Sequence, residues 1–262
     1  CRKKDYRGGF VDNFFVIFCN IVVKPMNTAR VYIPETPPAV EVQDVLHYLG
    51  YGSAQPDDDT LGLINDCKLK LEAVMEPKAV YASYPLKFVE GYPVLENCGF
   101  KLVGREIAEH LQGCSTAVMF AATLSLSTDM LISQAQAKDM AAGVVLDCCA
   151  TAAIEKLSEM VETEIKSAYP GRYFTTKYSP GYGDFPIELQ KGFLDTLNAQ
   201  KLIGLYTNEA CLLVPIKSVT AIIGVGDEPP KGLKTGCAFC RLKDNCSFRK
   251  RGQYCGLSKA AE

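Results

Sequence analysis

Two stretches of the 262-residue chain hold residue types whose spacing could do chemistry. The first is "GCAFCRLKDNCSFRKRGQYC", where Cys237, Cys240, Cys246 and Cys255 are spaced C-x2-C-x5-C-x8-C. Four thiolates so close in sequence, with Gly236 and Gly252 beside them, can wrap one metal centre. Structural zinc usually shows two C-x2-C knuckles, and this motif has one. Iron–sulfur clusters accept less regular spacing. An iron–sulfur cluster is therefore the first expectation, zinc the second, and a redox-active or unliganded set the third. Lys231, Lys234, Arg241, Lys243, Arg249, Lys250 and Arg251 surround the thiols. They read either as a solvated tail or as a docking surface for an acidic partner protein.

The second stretch is "TKYSPGYGDFPIELQ", residues 176–190. Gly181 and Gly183 can take positive φ, and Pro180 fixes the chain ahead of them. A ligand could approach the main chain at such glycines. Tyr178, Tyr182 and Phe185 offer aromatic faces, and Lys177 a positive charge. A helix starting near Pro186 would point free N–H groups at a carboxylate. The stretch reads either as a strand-to-helix turn or as a cradle for an amphoteric, partly aromatic ligand.

The remaining polar residues carry weaker signals. His47 and His110 lie on expected helices without metal-ligand spacing, so both read as structural. Asp129 and Asp147 read as caps or buried partners. No Ser–His–Asp or Cys–His set stands out. Eight further cysteines are scattered among apolar neighbours and read as small buried hydrophobes in a reducing, cytoplasmic setting. A net charge of -2 offers no field for nucleic acid, and the basic residues are confined to the tail. The apolar run at 10–23 is interrupted and shorter than the ~20 residues that span a bilayer, so no membrane role is expected.

These residues need elements to position them. Apolar spacing and Gly50 mark a helix over 39–50, and acidic residues open a second over 55–76. Residues 79–88 read as a strand pair, 100–104 as a short strand, 105–113 as a helix and 115–124 as a buried strand. A long helical region follows over 127–169, with one helix ending at Lys138 and a small-residue-rich half behind it that suits a central position. Residues 172–178 read as a strand and 186–199 as a helix with Pro186 in its first turn. Three apolar segments, "LIGLY", "ACLLVP" and "SVTAIIGVG", have strand character. Strand blocks flank helix pairs without strict alternation. The expectation is an α+β domain with a largely antiparallel sheet, flanking helices and a Cys-rich tail. The expected boundaries are an extension over 1–25 preceding a natural start at Met26, a domain over 26–226 and the tail over 227–262. No nucleotide-binding glycine motif is present.

The order of these features resembles the activation domain of cobalamin-dependent methionine synthase. That family carries an "AEA"-like glutamate on a helix, an R-x-x-x-G-Y motif that binds S-adenosylmethionine, and a "T-E-S…M-x-P…S-V-S" stretch. The matching residues here are Glu155 in "DCCATAAIEKLSE", Lys177 with Gly181 and Tyr182, and "TNEACLLVPIKSV" at 207–219. The resemblance covers roughly residues 95–226. It implies an S-adenosylmethionine site built from Glu155, Lys177, Ser179, Pro180, Gly181 and Tyr182. It also implies a reactivation role in trans on a separate cobalamin-binding methyltransferase, because the folate, homocysteine and cobalamin modules are absent from the sequence. A flavodoxin or ferredoxin would supply the electron. Two departures stand out. Lys177 occupies the family's arginine position, which keeps the charge and loses the bidentate fork. The family's N-terminal aspartate has no clear counterpart.

Overall fold

The structure is a computed structural model that describes residues 28–52, 54–230 and 244–250. The extension at 1–25 and the thiols of Cys237, Cys240 and Cys255 lie outside the described residues.

Three long apolar strands make the centre. β1 (Arg30–Tyr32) is followed by the helices α1 (Val42–Leu49) and α2 (Asp58–Glu72). The hairpin of β2 (Lys78–Val89) and β3 (Tyr92–Leu95) comes next, then α3 (Arg105–His110) and β4 (Cys114–Thr123). Two long helices follow, α4 (Leu126–Lys138) and α5 (Met140–Ser167). The short β5 (Tyr173–Phe174) leads through a three-residue 3-10 turn (Ile187–Leu189) to α6 (Gln190–Thr196) and α7 (Ala199–Ile203). A small ladder of β6 (Tyr206–Thr207) and β7 (Leu213–Val214) precedes β8 (Ser218–Gly226), and α8 (Ser247–Lys250) is the last described element.

The main sheet runs β1-β2-β4-β8-β5, with β3 paired to β2, and every pairing is antiparallel. Side chains alternate across it, as the two-residue period of a strand requires. Ala79, Tyr81, Val118, Phe120, Ala221 and Ile223 point to a core shared with α1, α2, α4 and α5. Val80, Ala82, Ala117, Met119, Ala121 and Ile222 point to a second core shared with α3, α6 and α7. Both faces are covered, so these strands read as continuous apolar runs rather than as an alternating pattern. The result is the α+β class, an antiparallel sheet between two helix layers.

α5 is the spine of the first layer. Asp139 breaks the helical region: it is extended, and its carboxylate accepts the amides of Ala141 at 2.9 Å and Ala142 at 3.3 Å. α4 then crosses so closely that a Cβ on Gly143 would lie 2.8 Å from the Gln136 Cα. Cys148 and Cys149 are buried on α5, and desolvation pushes their thiols up to about 11 and about 12.

Several expected elements differ. Residues 79–88 are one strand, not a pair, because Pro85 sits where pairing to β4 ends and β3 takes over as partner. The segment 100–104 contributes a single bridge, Lys101 to Val94. Of 172–178, two residues form β5 and Tyr178 adds a bridge to Ile222. The expected helix after Pro186 is a 3-10 turn and a seven-residue helix. The apolar residues Leu202 and Ile203 of "LIGLY" end α7 instead of starting a strand. Among the described residues no helix is long and apolar enough to cross a membrane.

Candidate functional site

The outer edge of β8 is only partly paired. β5 covers Val225 and Gly226, and Tyr178 exchanges two main-chain bonds with Ile222 at 3.0 and 2.8 Å. α5 runs beside this edge and presents Asp147, Thr151, Glu155, Ser158 and Glu162, spaced three or four residues apart on one face. Two lysines reach that face from the sheet side. Lys217, just before β8, donates to Asp147 Oδ1 and Thr151 Oγ1, both at 2.9 Å. Lys177, just before the Tyr178 bridge, donates to Ser158 Oγ at 2.8 Å and lies 3.9 Å from Glu162 Oε2. The two anchor points on α5, Thr151 and Ser158, are about 10 Å apart at 1.5 Å per residue.

Glu155 sits between them. It is half-buried, and its carboxylate makes no hydrogen bond or ion pair among the described residues. Each lysine ammonium has three donor hydrogens, and neither set is filled by the bonds above. The seam between α5 and β8 thus holds an open anion flanked by two cations with spare donors. Such a set can take a ligand carrying both an ammonium and a carboxylate.

The loop after Lys177 is tied down from several sides. Ser179 Oγ donates to the Thr220 carbonyl at 2.6 Å, and Gln190 donates to Thr220 Oγ1 at 2.6 Å. Pro180 is buried. The Gly181 amide donates to the Phe185 carbonyl at 2.8 Å, and Phe185 is fixed in the second core with 1% of its surface exposed. Asp184 accepts the amides of Arg105 at 2.6 Å and Glu106 at 3.0 Å, which binds the loop to the start of α3. His110 Nε2 donates to the Thr176 carbonyl at 2.8 Å, and its ring lies 4.8 Å from that of Tyr178. Burial pushes the His110 ring below its ordinary 6.5, partly offset by the Thr176 bond. The neutral tautomer that donates from Nε2 is therefore favoured.

The two glycines differ in their surroundings. Gly183, at φ +51, has its missing Cβ position taken by the Glu106 carboxylate and the Tyr178 hydroxyl, so it serves internal packing. Gly181, at φ +93, is exposed and leaves its main chain accessible. The seven-residue α6 offers little of the dipole expected after Pro186.

Glu155 and Lys177 are therefore brought to one seam, with Lys177 one helical turn away on Ser158. Tyr182 is not on that seam. It is 57% exposed and packs edge-on to Tyr178 at 5.9 Å, and the Tyr178 ring belongs with the second core. Ser179, Pro180 and Gly181 form the crossing between the two sides. The sequence reading missed Ser158, Glu162 and Lys217. The i, i+4 rhythm of polar residues through an otherwise small-residue helix was the signal for the first two; Lys217 lay inside the matched stretch at 207–219, between two apolar segments, and was given no role of its own. Of the four tail thiols, Cys246 alone is described, and no group of three or more His, Cys, Asp or Glu is arranged for a metal among the described residues.

No family model matches the chain, and neither does any curated protein. Among solved structures, the crystal structure of the MetH reactivation domain bound to AdoHcy is similar over 88% of each chain, with a TM-score of 0.54 and 15% sequence identity. The fold is that of the MetH reactivation domain.

Proposed function

We propose that this chain is an S-adenosylmethionine-binding reactivation component that acts in trans on a cobalamin-dependent methyltransferase of the methionine synthase system. The observation that carries this reading is the convergence of an unpaired Glu155 and Lys177 on one seam, within a fold like that of the MetH reactivation domain.

On this reading Lys177 holds the ligand's carboxylate and Glu155 accepts its ammonium. The chain crosses the sheet edge at exposed Gly181, and Tyr182 stacks on the nucleoside end. Ser179 and Pro180 hold that crossing in place. The protein's contribution is to fix the sulfonium methyl in line with a partner's corrin. The corrinoid supplies a cobalt which, once reduced by one electron, takes the methyl group while the S–C electron pair stays on sulfur. A flavodoxin or ferredoxin is the proposed electron donor. The four cysteines are assigned to an iron–sulfur cluster, with zinc as the alternative; the visible absorption of anaerobically purified protein separates a coloured cluster from colourless zinc.

Titration calorimetry of the full chain with S-adenosylmethionine and with AdoHcy tests the reading. Binding is expected, and no heat at millimolar ligand would overturn it. A second reading, a non-catalytic interaction or chaperone module for a corrinoid protein, is favoured by one observation: Lys177 is already engaged by Ser158 and Glu162. It requires partner binding that survives loss of ligand binding.

A further inference from the structure

At the C-terminal end of α1 a cleft of about 260 Å³ is lined by Gln43, Leu46, His47, Gly52, Gln55 and Pro56, among others. His47 Nε2 is buried there without a hydrogen-bond partner. The exposed face of the imidazole is not left to solvent. The Phe248 ring stacks on it, with centroids 5.4 Å apart and planes inclined by 25°. Tyr48 meets the same imidazole edge-on at 5.3 Å. Phe248 lies on α8, whose turn is closed by the Lys250 amide donating to the Cys246 carbonyl at 3.1 Å.

The ring contact supplies the apolar seat that a docked element needs.

We propose that residues 244–250 are a docking element that ties the Cys-rich segment to α1, with the Phe248 ring on His47 as its latch. In sequence this turn lies between the third and fourth cysteines of the motif. α1 in turn packs on α5: Val45 and Leu46 enter the first core, and Asp44 lies close enough to Glu159 and Lys156 to feel their charges. Lys156 follows Glu155 directly, and Glu159 lies one helical turn beyond it. The docked turn thus rests on the same helix layer that builds the seam. This inference does not rest on ligand binding at the seam, and its test uses no ligand, so the two can fail separately.

The test is hydrogen–deuterium exchange of the peptide spanning residues 246–250 in the full chain. In the native protein the Lys250 amide, bonded to the Cys246 carbonyl, exchanges only when the turn opens. Phe248→Ala and His47→Ala should each speed its exchange about two- to tenfold, the range set by one aromatic pair. The double variant should be no faster than either single one. His47→Phe, which keeps a ring in place, should stay within about twofold of the native rate. Unprotected exchange in the native chain, an unchanged rate in Phe248→Ala, or additive effects in the double variant would each overturn the docking. Circular dichroism of His47→Ala checks that α1 is intact, and Phe248→Ala gives an independent reading should it not be.

Discussion

On the function proposed above, replacing Glu155 by glutamine separates ligand recognition from folding at the seam. Among the described residues the Glu155 carboxylate has no partner, so Glu155→Gln removes no bond seen there. A half-buried, unpaired position of this kind tolerates neutralisation within about 0.5 kcal/mol, which for a chain of this size is a Tm change of about 1–2 °C. The bound state is different. A hydrogen bond from a ligand ammonium to a carboxylate contributes about 1.5–3 kcal/mol, which corresponds to a Kd for S-adenosylmethionine or AdoHcy about ten- to hundredfold weaker. Lys177→Met is the contrasting variant. It loses the Ser158 bond and the Glu162 ion pair as well as the ligand contact. It should therefore lower stability by about 1 kcal/mol in addition to weakening binding. Calorimetry supplies the Kd, and thermal unfolding followed by circular dichroism supplies the Tm. If Glu155→Gln binds within twofold of the native chain, the carboxylate does not contact the ligand and the seam is not the site. If Glu155→Gln instead melts many degrees lower, the carboxylate has a structural partner and the reasoning from its open state fails.

Two further outcomes follow from the loop anchors. Asp184→Ala removes two hydrogen bonds to the start of α3 and should cost about 1–2 kcal/mol, read as a lower urea midpoint; an unchanged midpoint would show that the cap contributes nothing. His110 is held below its ordinary 6.5 in the folded chain, so the unfolded chain takes up its proton first. The stability tied to a neutral His110 is complete above that value and is lost as pH falls from it through the lower folded value. Urea midpoints should therefore drop more between about pH 7 and 5 in the native chain than in His110→Phe, and parallel curves would refute the assignment.

The sequence made the fold class legible because its strongest signals are local. Helix stops such as Gly50, the cap-forming break at Asp139 and the long apolar strand of β8 each lie within a few residues of the structure they cause. The misread elements depend on contacts far apart in sequence. Leu202 and Ile203 look like strand residues, yet they finish a short helix because the second core takes their apolar side chains there. The segment 172–178 is strand-like, but β8 is bonded by two residues, one bridge and side chains rather than a full ladder. The site was legible in the same partial way. Glu155 and Lys177 came from matched motifs, whereas Lys217 and Asp147 lie 70 positions apart, and only the fold makes them a pair. Asp184 likewise caps a helix 79 residues upstream, which a window-based reading of caps cannot find.

The loop after Lys177 is held through its ends and its main chain: Tyr178 on β8, Ser179 on Thr220, Asp184 on α3 and Phe185 in the core. The amide of Tyr182 donates to the Ser179 carbonyl at 3.0 Å, while its side chain points largely into solvent. The side chain's contact with the fold is edge-on to the Tyr178 ring, which another aromatic residue also supplies. Residue 182, with the exposed Ile187 and Glu188 nearby, can diversify under selection, or in a laboratory library, while the scaffold stays constant. On the function proposed above, ligand preference is evolvable at an exposed point of this loop.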